Sequence, residues 1–181
     1  MKYLILALFL FLLFLLYFLR YPTPIIRKNN EDYVYSPAFG KIMNITYRDD
    51  NTLYISIFLS PTDIHYQFYP VSGLIKDLKY DCSGKFELAY ELNKSNKNEK
   101  SIYTISNKNG NFIVYQIAGY LVRRISTYGK IGEKVDSGEC MGIIYIGSRV
   151  DIIIPNSNKF KLLVKENELV KGFNSLLGHY M

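Results

Sequence analysis

Between Ile143 and Pro155 the chain reads Ile-Ile-Tyr-Ile-Gly-Ser-Arg-Val-Asp-Ile-Ile-Ile-Pro, and four of those residues do not suit an apolar strand. Gly147 weakens a strand and marks a bulge or a close backbone approach. Beside it Ser148 brings a hydroxyl, Arg149 a fixed cation and Asp151 a carboxylate. Taken alone, a strand with a glycine bulge accounts for this pattern. The second spacing of interest is Asp63-x-His65. His65 is one of two histidines, and the other, His179, lies near the end of the chain. An isolated His in a β-rich chain is most often packed or at the surface, and Asp63 is equally suited to capping the Ser60-Pro61 turn. Cys82 and Cys140 lack the CxxC-type clustering that a zinc site or a redox pair needs, so neither is expected and no metal is implied.

These groups need a scaffold, and composition describes it. At 181 residues, with 49% hydrophobic and 21% charged, the chain can bury one core and carry a short appendage. The 17 Tyr and 11 Phe, with many Ile and Val, favour strands. The formal net charge of +6 fits nucleic acid or an anionic membrane. No nucleic-acid-binding motif accompanies it. The segment from Tyr3 to Leu19 is uncharged and almost wholly Leu, Phe and Ile. With no small residues at a cleavage position after it, the segment predicts an uncleaved single-pass membrane anchor. Arg20, Arg27 and Lys28 outnumber Lys2, which places the remaining domain on the cytoplasmic side. The expected organisation is an anchor over 1–20, a Pro-stiffened linker over 21–31 and a β-rich domain over 32–181.

Within that domain, apolar runs predict strands at Val34–Tyr35, Gly40–Tyr47, Thr52–Leu59, Gly73–Tyr80, Ser101–Ser106, Phe112–Ile117, Gly142–Ile146, Val150–Ile154 and Lys161–Val164. Asn109-Gly110 marks a hairpin. Ala118–Tyr128 fits a short helix or a strand, and Phe86–Leu92 a helical or irregular piece. The fold class is mainly β (α+β): a barrel-sandwich-like β domain with short helices, preceded by one N-terminal transmembrane helix. Ser36-Pro37-Ala38-Phe39-Gly40-Lys41-Ile42 is echoed by Tyr69-Pro70-Val71-Ser72-Gly73-Leu74-Ile75, two Pro-braced turns each leading into a strand. Such turns are similar to those of lipoyl and biotinyl carriers, but no Lys stands in the carriers' Met-Lys-Met or Asp-Lys-Ala setting.

Seven segments in order resemble the short phosphatidylserine decarboxylases. Phe18-Leu19-Arg20-Tyr21-Pro22 is similar to that family's Phe-Arg-Asp-Pro, and Ser36-Pro37-Ala38-Phe39-Gly40 to its Ser-Pro-Ala-Asp-Gly. Phe58-Leu59-Ser60-Pro61-Thr62-Asp63-Ile64-His65 resembles Phe-Leu-Ser-Pro-x-Asp-x-His. Tyr69-Pro70-Val71-Ser72-Gly73 resembles Ser-Pro-Val-Asp-Gly, and Asn98-Glu99-Lys100 resembles Asn-Glu-Arg. Gln116-Ile117-Ala118-Gly119 and Arg123-Arg124-Ile125 resemble Gln-Ile-Ala-Gly and Ala-Arg-Arg-Ile. Gly147-Ser148-Arg149-Val150-Asp151 resembles the processing motif.

The resemblance implies a chemistry. Ser148 attacks the carbonyl of Gly147, an ester forms, and β-elimination splits the chain into 1–147 and 148–181. Ser148 becomes a pyruvoyl group, the self-derived cofactor, whose carbonyl forms a Schiff base with the amine of phosphatidylserine and accepts the electrons released with CO₂. His65 is implied to contact the substrate carboxylate or the reacting centre and move a proton, with Asp63 orienting it or assisting processing. Asn98, Glu99 and Arg149 are implied substrate contacts. The partners implied are phosphatidylserine and membrane lipid, the chain's own cleaved pieces, and optionally a second copy as a homodimer. One departure bears on processing. Phe39 stands where the family has Asp, and Asp63, His65 or Asp151 are the candidates to supply the missing base. Phe68 stands where longer members carry a second His. The alternative reading is a decarboxylase-like protein that binds membrane lipid without self-processing.

Overall fold

A computed structural model of the chain describes residues 2–23, 30–82, 84, 87–89, 91–120, 124–145 and 148–181. The chain opens with helix α1 (Lys2–Phe18), followed by strands β1 (Tyr33–Tyr35), β2 (Gly40–Tyr47), β3 (Leu53–Leu59), β4 (Tyr66–Phe68) and β5 (Gly73–Asp81). A single helical turn, α2 (Leu92–Ser95), leads to β6 (Lys100–Asn107), β7 (Gly110–Ile117), β8 (Ile125–Thr127), β9 (Lys134–Val135) and β10 (Cys140–Ile144). The last third holds β11 (Ser148–Ile154), β12 (Phe160–Leu162), β13 (Leu169–Val170) and β14 (Leu176–Tyr180).

All pairings are antiparallel. One sheet has eight strands in the order β13-β2-β3-β11-β7-β6-β5-β9, and two small sheets run β1-β14-β12 and β4-β10-β8. The core is where the alternation of the long strands points: Ile42, Leu53, Ile55, Ile57, Val114, Val150 and Ile152 are fully enclosed. Each such side chain contributes about 1.5–3 kcal/mol through burial.

Strand β11 lies between β3 and β7, and all seven of its residues are buried. A strand in that position has no solvent face, so its polar residues require partners or a purpose. The ambiguous stretch from 118 to 128 resolves in part as β8, while Arg123 lies outside the described residues.

The N-terminal segment corrects the sequence-based expectation. No helix among the described residues is long and apolar enough to cross a membrane. Helix α1 has 17 residues and ends at Phe18, the one fully buried side chain in it. At about 1.5 Å per residue it spans ~26 Å, against a hydrocarbon core of ~30 Å. Its last turn is committed to protein contacts: Phe18 is 2% exposed, and Arg20 donates from Nη2 to the Thr62 carbonyl at 2.7 Å. The transmembrane helix in the expected fold class, the single-pass anchor and the cytoplasmic placement that depended on it are therefore not supported.

Candidate active site

Ser148 is the first residue of β11 and stands opposite Leu59 in the β3 ladder. Alternation puts it on the face of Val150 and Ile152, toward the core. It is fully buried, and its Oγ has no hydrogen-bond partner. Its neighbour Gly147, the other half of the expected cleavage bond, lies outside the described residues.

His65 is held at the same end of the sheet. The Ser60–Asp63 turn follows Leu59 directly, closed by Asp63 N donating to the Ser60 carbonyl at 2.9 Å. The His65 carbonyl then accepts from Ile144 N at 3.2 Å, at the end of β10 and four residues before Ser148. The strand that pairs with Ser148 and the strand that precedes it are thus both tied to the His65 segment.

The imidazole geometry fixes its tautomer. Nδ1 lies 2.9 Å from the Asp63 carbonyl. A carbonyl only accepts, so Nδ1 carries the proton and Nε2 presents a lone pair. Nε2 is buried and unpartnered. Burial pushes the His65 pKa below its ordinary value, opposed by the hydrogen bond to Asp63 and by the charge of Asp63, and reinforced by the Arg20 guanidinium. The ring is therefore neutral near pH 7 and basic at Nε2. A buried hydroxyl and a buried, basic nitrogen, both without partners, suit a nucleophile and its general base.

Asp63 combines the two roles considered for it. Its carboxylate Oδ2 accepts from Ser60 N at 2.8 Å and so caps the turn. Its backbone carbonyl, not its carboxylate, orients His65.

A polar chain that the sequence reading missed supports the His65 backbone. Ser101 Oγ donates to Gln116 Oε1 at 2.5 Å, Gln116 Nε2 to Gln67 Oε1 at 2.8 Å, and Gln67 Nε2 to the His65 carbonyl at 2.5 Å. Ser101, Gln116 and Gln67 are all fully buried. Gly142 makes room for the chain: a Cβ there would meet Ser126 O at 2.3 Å and Gln116 Nε2 at 2.9 Å. The available signal was Gln116 itself, which falls on the inward face of β7 with Phe112 and Val114. An amide in such a position needs partners.

Other predicted residues lie elsewhere. Arg149 alternates to the opposite face from Ser148 and is fully buried. Its Nη1 donates to Leu92 O at 3.1 Å and Ser95 Oγ at 2.5 Å, and its Nη2 to Asp151 Oδ2 at 2.9 Å and to Asn96 Oδ1. Asp151 also accepts from Ser56 Oγ and Tyr54 OH, each at 2.6 Å. These two residues fasten α2 to the back of the sheet. Asn98 bridges Glu87 O at 2.7 Å and Ala118 O at 2.9 Å through Nδ2, while its Oδ1 accepts from Glu87 N at 2.8 Å. Glu99 accepts from Tyr80 OH through its carboxylate and from Ala118 N through its carbonyl.

Phe39 occupies an aromatic cluster, with ring centroids 6.2 Å from Phe68 and 5.9 Å from Phe173. A Cβ on residue 172 would come within 2.8 Å of the Phe39 ring, so Gly172 accommodates it. Of the three groups considered as a substitute base, Asp151 is on the wrong face and Asp63 is occupied as a cap. Of the three, His65 alone offers a buried acceptor atom with no partner. Among the described residues no three His, Cys, Asp or Glu side chains gather to hold a metal.

Comparison with known proteins is consistent across the chain. A family profile described as phosphatidylserine decarboxylase matches residues 11–177. The phosphatidylserine decarboxylase proenzyme of Amoebophilus asiaticus is 36% identical over 172 residues, covering 91% of this chain and 75% of that protein. The proenzyme of Chlorobaculum tepidum is 36% identical over 173 residues, covering 93% of this chain and 78% of its own. That of Parabacteroides distasonis is 38% identical over 170 residues, covering 90% and 76%.

Proposed function

The chain belongs to the phosphatidylserine decarboxylase family, and from that premise we propose that it splits itself at Gly147–Ser148 and then converts phosphatidylserine to phosphatidylethanolamine. The observation that carries this reading is that Ser148 Oγ and His65 Nε2 are both buried without a partner at the same end of the sheet. Arg149 Nε is the third such atom among the described residues, but it belongs to a guanidinium whose other two nitrogens are fully engaged, whereas Ser148 Oγ and His65 Nε2 are the only polar side-chain atoms left to a nucleophile and a base.

His65 Nε2 takes the Ser148 hydroxyl proton as Oγ attacks the Gly147 carbonyl carbon. The peptide C–N bond breaks, its nitrogen takes up a proton, and an ester to Oγ replaces it. Loss of the Ser148 Cα proton then expels the ester as the carboxylate of Gly147. The remaining enamine takes up water and releases ammonia, leaving a pyruvoyl group at the head of 148–181. The residues present fit that group, because a buried, unpaired hydroxyl at a strand end is the form its precursor must take. The pyruvoyl carbonyl supplies an electron sink for the pair left behind when CO₂ departs from the substrate amine's α-carbon. His65, held neutral by burial, is the group that can hold or return a proton beside Ser148. Asp63 fixes its tautomer, and the Ser101–Gln116–Gln67 chain fixes its height. We assign the chemistry to the domain from 32 to 181, with 21–31 as the connecting segment.

The test is intact mass and denaturing gel analysis of the wild type beside Ser148→Ala and His65→Ala, followed by conversion of phosphatidylserine in mixed micelles. Two chains ending at 147 and starting at 148, absent in Ser148→Ala, with phosphatidylethanolamine produced, are expected. A single full-length chain after prolonged incubation would overturn the proposal. Two chains without product would retain self-cleavage and remove the decarboxylation.

A further inference from the structure

In the sequence, the segment that ends α1 is the motif Phe18-Leu19-Arg20-Tyr21-Pro22 at the close of the expected anchor. In the structure it reaches the site directly. The Phe18 ring lies 4.4 Å from the His65 ring, centroid to centroid, tilted by 40°. Phe18 is 2% exposed although most of the helix before it is open. Two residues on, Arg20 donates from Nη2 to the Thr62 carbonyl at 2.7 Å and from Nη1 to the Tyr17 carbonyl at 2.7 Å. Tyr17 OH donates to the same Thr62 carbonyl at 3.3 Å, and the Arg20 guanidinium sits 3.9 Å from the Tyr17 ring centre. Thr62 immediately precedes Asp63, whose carbonyl sets the His65 tautomer.

Resting on the reading of His65 as the base, we infer that Arg20 and Phe18 are positioning residues of the site, Arg20 clasping the Thr62–His65 turn and Phe18 roofing the imidazole against water. The turn is capped by Asp63 and tied at its far end by Ile144 N and Gln67 Nε2 on the His65 carbonyl, which leaves the Thr62 carbonyl to be held by α1. The clasp adds that hold through a charge-assisted bond. The ring contact replaces water on one face of the imidazole and leaves Nε2 for Ser148. A displacement of about 1 Å in a reacting group costs up to ~100-fold in rate, so a clasp on the preceding carbonyl is a direct lever on catalysis. The charged groups bearing on His65 are Arg20 from the end of α1 and Asp63 from its own turn. The first opposes protonation and the second favours it.

The test uses the full chain in two backgrounds. In the wild-type background, Arg20→Ala and Phe18→Ala are expected to slow self-cleavage about tenfold or more. The acid limb of their pH–rate profiles moves to higher pH, because the imidazole gains a proton more readily once its cation or its roof is gone. Arg20→Lys restores part of the rate, and Arg48→Ala, remote from His65, matches wild type. In the non-cleaving Ser148→Ala background, the two imidazoles are titrated by NMR. The His65 midpoint is expected to rise in both variants while that of His179 stays fixed. This second readout needs no chemistry, so it separates failure of the clasp from failure of the self-cleavage reading. An unmoved His65 midpoint in both variants overturns the inference, whatever the wild type does. So does an unchanged cleavage rate in Arg20→Ala.

Discussion

At the scale of single residues, two questions open in the sequence are answered by direction and partner: what orients His65, and what receives Phe39. Asp63-x-His65 is legible as a spacing, but which group orients the imidazole is not. The backbone carbonyl of Asp63 does so at 2.9 Å. Asp63→Asn should therefore retain much of the cleavage rate, since an amide oxygen can still cap Ser60 and the carbonyl is unaltered. His65→Ala should lose about 10²–10⁴-fold. Timed gels of the two variants make the comparison, and equal, severe losses would return the carboxylate to the mechanism. The pH dependence follows from the lowered pKa of His65, whose first cause is burial. The folded histidine stays neutral below the ordinary value of ~6.5 and so remains a base there. Cleavage should hold its rate as pH falls through that value and decline only at lower pH, as Nε2 is protonated. A profile falling at or above ~6.5 would show that His65 is not desolvated as described. Phe39 could not be read correctly from sequence alone, because only the fold shows the cluster and the vacant Cβ position at Gly172 that receive it. Phe39→Ala should cost about 1–3 kcal/mol in chemical denaturation, less than a fully buried ring because the site is half-buried.

At the scale of elements, legibility tracks length and alternation. β2 is read from the sequence at its observed bounds, and β3, β5, β6, β7 and β11 lie within two residues of expectation, because each is long and carries either an alternating pattern or, in β11, a continuous β-branched apolar run. β4, β8, β9 and β13 have two or three residues each, too short for any period to register, and β14 is obscured by Gly178 and His179. Pairing with neighbours, not local preference, creates these strands. The missed β4 matters most, since it contains Gln67 and begins immediately after His65. The polar content of β11 was visible, but its division was not. Alternation assigns Ser148 to the core face and sends Arg149 and Asp151 to the other, where Arg149 binds α2 and Asp151 holds Arg149. That face is a structural clamp, and removing Arg149 leaves the buried Asp151 carboxylate without its counter-charge, held only by Ser56 and Tyr54. Arg149→Ala should lower stability by about 3–5 kcal/mol in urea denaturation. A loss under ~1 kcal/mol would mean that water reaches Asp151 and that α2 is not held as described.

At the scale of the whole molecule, the cleavage position has a consequence set by topology. Everything after Gly147 amounts to four strands, and three of them pair with strands from before it. β11 is flanked by β3 and β7, β13 pairs with β2, and β14 pairs with β1. The C-terminal piece also carries Val150, Ile152, Ile154, Phe160, Val170 and Leu177 into the common core. Cutting one bond at the head of β11 removes none of these ladders. It adds chain freedom only in the unfolded state, where two pieces are no longer joined. The cleaved protein should therefore run as one particle in gel filtration under native conditions and yield two chains only in denaturant. Its thermal midpoint should depend on protein concentration, unlike that of intact Ser148→Ala, because unfolding now separates two molecules. Elution of residues 148–181 as a free peptide at native pH would mean that the central strand is not bound as its two ladders require. Because β11 is central, the proposed cut would leave its new terminus in place: the strand that begins at Ser148 is the one gripped on both sides along its length.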